Sequence, residues 1–202
     1  MAAVGNPPLR RRPGGFAGLA ATVVSQQLST ASAAAIWGRL AAAFDPFEPR
    51  ALLGARTARL KRTGLSASKI VTLKAIASAI ERRTLDLEAL AGCPAEDAHR
   101  ALTSVRGIGP WTADIYLLSG VGHADVWPAG DLALQEAVRR AFRLRKRPDV
   151  KRMGPLAEIW RPWRGVAARV LWTYYRAVKK RDGIFMPRPG QARRAGPVQL
   201  KA

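Results

Sequence analysis

Apolar residues recur every three or four positions through most of the chain, the spacing that places them on one face of an α-helix. The first such run is Phe16, Leu19, Ala20, Val23 and Val24. Similar runs predict helices over about 30–44, after Ser66 as an N-cap, from Pro110 to about Ser119, and from Asp131 onward. No stretch of any length alternates with the two-residue period of a half-buried strand. The pattern therefore predicts an all-α protein.

The same pattern divides the chain into three parts. Residues 14–186 carry the helical periodicity and are predicted to form one domain, preceded by a loose segment over 1–13. Residues 187–202 are mostly Pro, Gly, Gln, Arg and Ala, a composition typical of a disordered basic tail. In the helix that Asp131 begins, Leu134, Val138 and Phe142 are expected to face inward, and core packing is favoured for Trp37, Trp160 and Trp163.

Charge and cysteine content narrow the class of protein. Lys and Arg number 34 against 14 acidic residues, a formal net charge of +20. A phosphate backbone is the commonest partner of such a field, although an arginine-rich genome would also produce it. A single cysteine excludes a disulfide framework and a four-cysteine cluster. No apolar run reaches the ~18 residues of a membrane span and no signal peptide is evident, so we expect a cytoplasmic, nucleoid-associated protein with no membrane contact.

The segment from Leu102 to about Leu118 contains the most informative motif. Gly107-Ile108-Gly109 separates two predicted helices, and Pro110 suits the first position of the second helix. Glycine allows a tight turn with positive φ, and Ile108 can plug the core between the helices. Backbone N–H groups at such a turn form a phosphate-binding nest. Taken alone, the motif fits a purely structural helical hairpin equally well.

Further motifs surround this hairpin in a recognisable order. They are Ser25-Gln26-Gln27-Leu28-Ser29, Gly64-Leu65-Ser66 with Lys69, Gly107-Ile108-Gly109-Pro110-Trp111-Thr112-Ala113, Trp127-Pro128-Ala129-Gly130-Asp131, and Trp160-Arg161-Pro162-Trp163-Arg164 with Leu171-Trp172. Over about residues 14–186 the chain resembles the helix-hairpin-helix DNA glycosylase superfamily, in particular its bacterial DNA-3-methyladenine glycosylase II branch. The resemblance implies two helical lobes around a cleft, one built from the N- and C-terminal helices and the other from the middle helices. We expect no counterpart of the extra N-terminal domain of longer members.

The resemblance implies a catalytic role for Asp131, twenty positions after Trp111. A carboxylate there stabilises oxocarbenium character on the sugar and orients water. Its position also suits a helix N-cap, and the two roles are compatible. Bifunctional relatives have lysine where Trp111 stands, and no lysine occurs between Lys74 and Lys146, so lyase chemistry is not expected.

Other positions take their expected roles from the same resemblance. Gln26, Trp111, Ile115 and Trp172 are expected to line the pocket for the damaged base. Gln27 stands at the wedge position that fills the gap left by a flipped base. DNA contacts are expected from the hairpin residues Gly107, Ile108 and Gly109. Phosphate contact and a solvated charged face remain equally open for Arg106, Lys69 and Lys74.

These observations predict a monofunctional glycosylase of base excision repair that acts as a monomer on double-stranded DNA and releases alkylated purines. Another base specificity on the same scaffold and a non-catalytic hairpin module are the alternatives. No cofactor is expected, and a monovalent cation at the hairpin carbonyls is the only metal that the resemblance suggests.

Overall fold

The computed structural model describes residues 13–179, with the backbone alone at Lys179. Its α-helices are α1 Gly15–Ser25, α2 Thr30–Ala43, α3 Pro49–Gly54, α4 Thr57–Arg62, α5 Ala67–Glu81, α6 Ala95–Thr103, α7 Pro110–Tyr116, α8 Leu132–Ala141, α9 Val150–Ala157 and α10 Arg164–Lys179. Short 3₁₀ turns lie at Ala89–Ala91 and Glu158–Trp160. No β-strand occurs among the described residues, which confirms the all-α prediction. The proposed tail, 187–202, lies outside them, as does nearly all of the segment 1–13.

The helices pack around two hydrophobic cores. The larger core is built by α1 to α7 and contains buried residues such as Leu19, Leu73 and Leu102. The smaller core is built by α8, α9 and α10 around Leu134 and Met153. Helix α1 packs on α2, α5 and α7. The expectation that N- and C-terminal helices share one lobe is therefore wrong for α1, because its apolar face is covered by the middle helices.

Side-chain caps fix where several helices begin. The Ser66 hydroxyl accepts a hydrogen bond from the Lys69 N–H at 3.3 Å and starts α5 as predicted. Ser29 caps α2 in the same way, through the Ser32 N–H. Such caps satisfy N–H groups that have no partner within the helix. The predicted bounds of α2 and the predicted start of α5 accordingly agree closely with the structure.

Helices α6 and α7 form the predicted hairpin. Gly107 has a φ of +89°, and a Cβ atom there would lie 1.9 Å from the Thr72 hydroxyl of α5, so no larger residue fits. Ile108 is buried in the larger core, as expected of the plug between the helices. Gly109 has an extended backbone with a φ of −89° and open space around its Cα. Only the first glycine is therefore required by the turn itself.

The chain leaves α7 through a wide π-helical turn, Leu117–Val121, so the α-helix ends at Tyr116, short of Ser119. Helix α10 lies directly against this region. A Cβ on Gly165 would lie 2.6 Å from a methyl group of Leu118, and the Gly165 N–H donates to the Ala124 carbonyl at 2.7 Å. The close approach fixes α10, and with it Trp172, relative to α7.

Two predicted core residues are more exposed than expected. Phe142 is 40% exposed because α8 ends at Ala141, although its ring still packs edge-on against Trp160. Trp163 is 60% exposed because it lies in the turn before α10. Within residues 13–179, no helix combines the length and the apolar character needed to span a bilayer.

Candidate active site

Asp131 is the N-cap of α8 and is almost completely buried. Its Oδ1 accepts a hydrogen bond from the Leu134 N–H at 2.8 Å. The preceding turn is tied by the Asp131 N–H, which donates to the Pro128 carbonyl at 2.9 Å. Gln135, one helical turn later, donates from Nε2 to the Ala129 carbonyl at 2.8 Å. The turn and the first turn of α8 thus hold the carboxylate in a fixed direction.

Two tryptophan side chains converge on this carboxylate. Trp111 of α7 donates from its indole Nε1 to Oδ2 at 3.1 Å, and Trp172 of α10 donates from Nε1 to Oδ1 at 2.9 Å. Together with the Leu134 N–H, three donors surround a single carboxylate. Hydrogen bonds to an ionised acceptor are the stronger kind. Because α7 belongs to the larger core and α10 to the smaller, the two cores meet at Asp131.

The turn between α1 and α2 carries the glutamine motif. Gln26 donates from Nε2 to the Thr112 hydroxyl at 2.7 Å, which places it beside the residue that follows Trp111. Gln27 is exposed and has a φ of +56°, a left-handed conformation that residues other than glycine rarely adopt. Gln26 is therefore held against α7, whereas Gln27 projects at the apex of the turn.

Lys69 and Lys74 of α5 both donate to backbone carbonyls. The Lys69 ammonium lies 2.7 Å from the Val24 carbonyl oxygen and 2.9 Å from that of Gln26. Burial lowers the pKa of Lys69 below its ordinary value. Lys74 donates in the same way to the carbonyls that end α3. Phosphate contact by either lysine stays a prediction, but both side chains also have a structural role that their sequence positions did not indicate.

The remaining predicted contacts divide by exposure. Arg106, Gly107 and Gly109 are exposed at the tip of the hairpin, where a duplex could reach them. Ile115 is only 1% exposed in the structure. It lies one turn after Trp111 on α7, and its expected role as a pocket wall stays a prediction.

A largely covered acid on α7, Asp114, was not singled out by sequence. The carboxylate of Asp114 lies 3.4 Å from Nε2 of His99. Burial raises the pKa of Asp114 to about 7, and the positive charge of Arg164 opposes this rise. Its place in the hairpin motif, between the buried Ala113 and Ile115, was the available signal.

Thr112 and Gln135 were also missed, although both support the site. Thr112 is buried directly after Trp111 and accepts the hydrogen bond of Gln26. Gln135 stands four positions after Asp131, on the same face of α8, and a polar residue there was the available signal. No group of three or more His, Cys, Asp or Glu side chains that could hold a metal ion occurs within residues 13–179. A monovalent cation at the hairpin carbonyls stays a prediction.

The fold and the site define an all-α protein with a tight two-helix hairpin and a buried carboxylate. The sequence profile described as "HhH-GPD superfamily base excision DNA repair protein" matches residues 20–162. DNA-3-methyladenine glycosylase 1 of Schizosaccharomyces pombe is 32% identical over 154 residues, covering 74% of this chain and 68% of that protein. The chain therefore belongs to the HhH-GPD superfamily, and the resemblance inferred from the motifs is confirmed.

Solved structures agree with this assignment. The S. pombe 3-methyladenine DNA glycosylase in complex with abasic DNA superimposes with a TM-score of 0.78 at 31% identity, covering 85% of this chain and 86% of that chain. A DNA-3-methyladenine glycosidase from Bacillus halodurans gives a TM-score of 0.73 at 28% identity, covering 84% and 79%.

Some relatives are much longer than this chain. A probable bifunctional transcriptional activator/DNA repair enzyme of Mycobacterium tuberculosis is 33% identical over 163 residues, which cover 75% of this chain. The match spans about a third of the length of this and two further curated relatives (32% in each case).

Proposed function

We propose that the protein is a monofunctional DNA glycosylase that hydrolyses the N-glycosidic bond of alkylated purines and leaves an intact abasic site. Double-stranded DNA is the substrate, and one copy of the chain acts on it. Relatives named as 3-methyladenine DNA glycosylases, one of them solved with abasic DNA, support this substrate class. The observation that carries the proposal is the Asp131 carboxylate held between two indole N–H groups.

The bond to an alkylated purine is weakened before the enzyme acts, because an N3- or N7-alkylated ring carries a positive charge. As the base departs, positive charge grows on the sugar. A carboxylate fixed in direction stabilises that charge without reorganising during the step. Asp131 meets this requirement through its three N–H donors, and it can orient the attacking water as well.

Trp111 argues against lyase activity. A Schiff base with the sugar requires an amine, and Trp111 supplies an indole whose N–H is committed to Asp131. The ammonium groups of Lys69 and Lys74 are bound to helix carbonyls. Hydrolysis without strand cleavage is the chemistry that these residues support.

Aromatic faces suit an electron-poor base. Trp111 and Trp172 are each held at the Nε1 edge by Asp131 and are only half-buried. Stacking of a cationic ring on such a face contributes about 0.5–2 kcal/mol. Gln26 is the polar residue proposed for this pocket. With few hydrogen-bond partners to offer, such a pocket accepts several alkylated purines and discriminates weakly among them.

The hairpin and the turn after α1 are proposed to engage the duplex. Gly109 and Arg106 lie exposed on the hairpin, and no hydrogen bond found within residues 13–179 uses the Gly109 N–H. This leaves a donor available for a phosphate oxygen. Base release also requires the nucleotide to leave the stack, at a cost of a few kcal/mol. Gln27, projecting at the apex of its turn, is proposed to fill the space.

The test is release of free base from methylated duplex DNA by the wild-type protein and by Asp131→Asn. We expect the wild type to release 3-methyladenine and 7-methylguanine and to leave alkali-sensitive abasic sites, and the variant to release neither. Release of a different damaged base would move the protein to another specificity on this scaffold. Duplex binding without release of any base would make the chain a DNA-binding module and refute the proposal.

A further inference from the structure

Two carbonyl groups at the C-terminal end of α1 accept hydrogen bonds from a side chain of another helix, α5. Helices leave their last carbonyls without partners, and local N–H groups commonly take them. Here the Gln26 N–H binds the Val23 carbonyl at 3.2 Å, and the Leu28 N–H binds that of Ser25 at 3.3 Å. The carbonyls of Val24 and Gln26 are instead bound by the ammonium of Lys69, which comes from α5. The end of α1 and the following turn thus depend on one distant lysine.

This arrangement leaves little of Lys69 for DNA. An ammonium has three donors, and two of them are directed at carbonyls within 3 Å. The Lys69 side chain is half-buried, and this burial lowers the pKa of its amine. A cation at the C-terminal end of a helix is also favoured by the helix dipole. A phosphate would have to compete with all of these interactions.

The hydrogen bonds of Lys69 hold the turn that carries Gln26 and Gln27, the residues proposed to contact the damaged nucleotide and its gap. It holds the Gln26 carbonyl while Thr112 holds the Gln26 side chain, so this residue is fixed at both ends. The next residue, Gln27, follows this fixed carbonyl and has a left-handed backbone conformation. Such a conformation is strained and persists only where the surrounding contacts hold it. Gln27 is exposed at the point where the fixed chain turns away.

We propose that Lys69 is a positioning residue, which holds the turn over 25–29 so that Gln27 is presented to the gap in the duplex, and that it does not contact phosphate. The proposal rests on the proposed function only in the role given to Gln27. Holding the turn in advance removes the need to order it when DNA binds.

Lys74 supplies a matched control on the same helix. Its ammonium donates to the Leu53 carbonyl at 3.2 Å and to the Ala55 carbonyl at 2.8 Å, at the end of α3. Lys69→Gln and Lys74→Gln therefore remove the same charge and the same kind of helix clamp. Only the first change acts on residues assigned to the site.

The first measurement is amide hydrogen exchange of the two variants without DNA. Lys69→Gln should speed exchange over 26–28, and Lys74→Gln should speed it over 53–56 only. In single-turnover assays on methylated duplex, Lys69→Gln should slow base release by about 10- to 100-fold, the effect of a small misplacement of reacting groups. Lys74→Gln should slow base release much less, because Lys74 holds the end of α3 and no part of the turn over 25–29. Adding Gln27→Ala to Lys69→Gln should cause little further loss, because both changes remove the same contribution.

The salt dependence of duplex binding separates the two roles. Loss of a phosphate contact lowers the slope of log affinity against log salt by about 1, whereas loss of a positioning residue leaves the slope unchanged. A lowered slope in Lys69→Gln, with unchanged exchange over 26–28, would overturn the proposal. So would equal slowing of base release by Lys74→Gln.

A labelling experiment on the wild-type protein covers the case in which Lys69→Gln does not fold. Acetylation of lysines is measured by mass spectrometry with and without an undamaged duplex, with the exposed Lys61 as reference. We expect Lys69 to react slowly in both samples. Fast reaction without DNA and protection with DNA would identify a phosphate contact and refute the positioning role. Labelling and exchange need no enzymatic activity, so a protein that releases no base would refute the proposed function without deciding this inference.

Discussion

Replacing Asp131 by asparagine changes two properties of the site, and the structure allows them to be separated. The carboxylate accepts hydrogen bonds from three N–H donors, two on Oδ1 and one on Oδ2. A carboxamide has one acceptor oxygen. If that oxygen keeps the Leu134 and Trp172 donors, its NH₂ group points at the Trp111 indole N–H. Asp131→Asn therefore has two effects. It removes a negative charge, and it places two hydrogen-bond donors, the new carboxamide NH₂ and the Trp111 indole N–H, against each other.

The second effect can be given a magnitude. A partly buried donor left without its acceptor costs about 1–3 kcal/mol. For a domain of this size each kcal/mol lowers the melting temperature by about 2–4 °C. Trp111→Phe removes the opposing donor, so the double variant should be more stable than the two single losses predict when added. The stability of this double variant, measured by thermal or denaturant unfolding, reports only on the unfavourable contact between the carboxamide NH₂ and the Trp111 indole N–H.

The first effect is measured by single-turnover base release from methylated duplex. Loss of a fixed group that stabilises transition-state charge reduces the rate by at least about 10²-fold. The rate should stay low when Trp111→Phe restores stability, because no charge is restored. Duplex affinity should be unchanged or higher, since a negative charge near phosphates is lost. Retention of more than about a tenth of the wild-type rate by Asp131→Asn, or recovery of activity in the double variant, would refute the catalytic role.

Three further predictions address lyase chemistry, DNA binding and pH. Borohydride treatment with an abasic duplex should trap no covalent adduct, because Trp111 offers no amine; a trapped species lost on mutating one lysine would contradict this. Gly109→Leu should keep the fold and weaken binding to damaged and undamaged duplex alike. Gly107→Ala should destabilise the protein, because its Cβ would overlap Thr72. Equal melting temperatures of the two variants would show the turn assignment to be wrong. Burial raises the pKa of Asp114 to about 7, so the contribution of this carboxyl group to stability falls as pH rises from about 4 to about 7. Asp114→Asn should therefore raise the melting temperature at about pH 8 more than at about pH 4. An equal change at both pH values would contradict the raised pKa.

The hairpin and the carboxylate were predictable because their signals are local. Gly107 and Ile108 carry the turn within three residues, and the structure requires both, one for its φ and one for its burial. Asp131 stands at the start of an apolar helical period, and its capping bond to Leu134 follows from that position. Their catalytic and DNA-binding roles stay predictions, which the experiments above test.

The interactions that connect these local units were not predictable. Trp111 and Trp172 lie 20 and 41 positions from Asp131, and a helical period does not state which edge of an indole faces a neighbour. Ile115 is almost fully buried on α7, but the apolar pattern of one helix does not state how closely its neighbours cover such a residue. These facts depend on how α7, α8 and α10 pack, which no single segment encodes.

The packing of the cations limits what the net charge of +20 says about DNA binding. The salt dependence of affinity counts phosphates neutralised at the interface, not the charge of the whole chain. Lys69 and Lys74 donate to backbone carbonyls at helix ends. Arg164 is bound to Asp125 through several hydrogen bonds. Arg106 differs, since it is exposed on the hairpin and no ion pair or side-chain hydrogen bond within residues 13–179 involves it. We therefore expect DNA contacts from the cations that the fold leaves exposed beside the hairpin, and we expect a salt slope far smaller than the net charge.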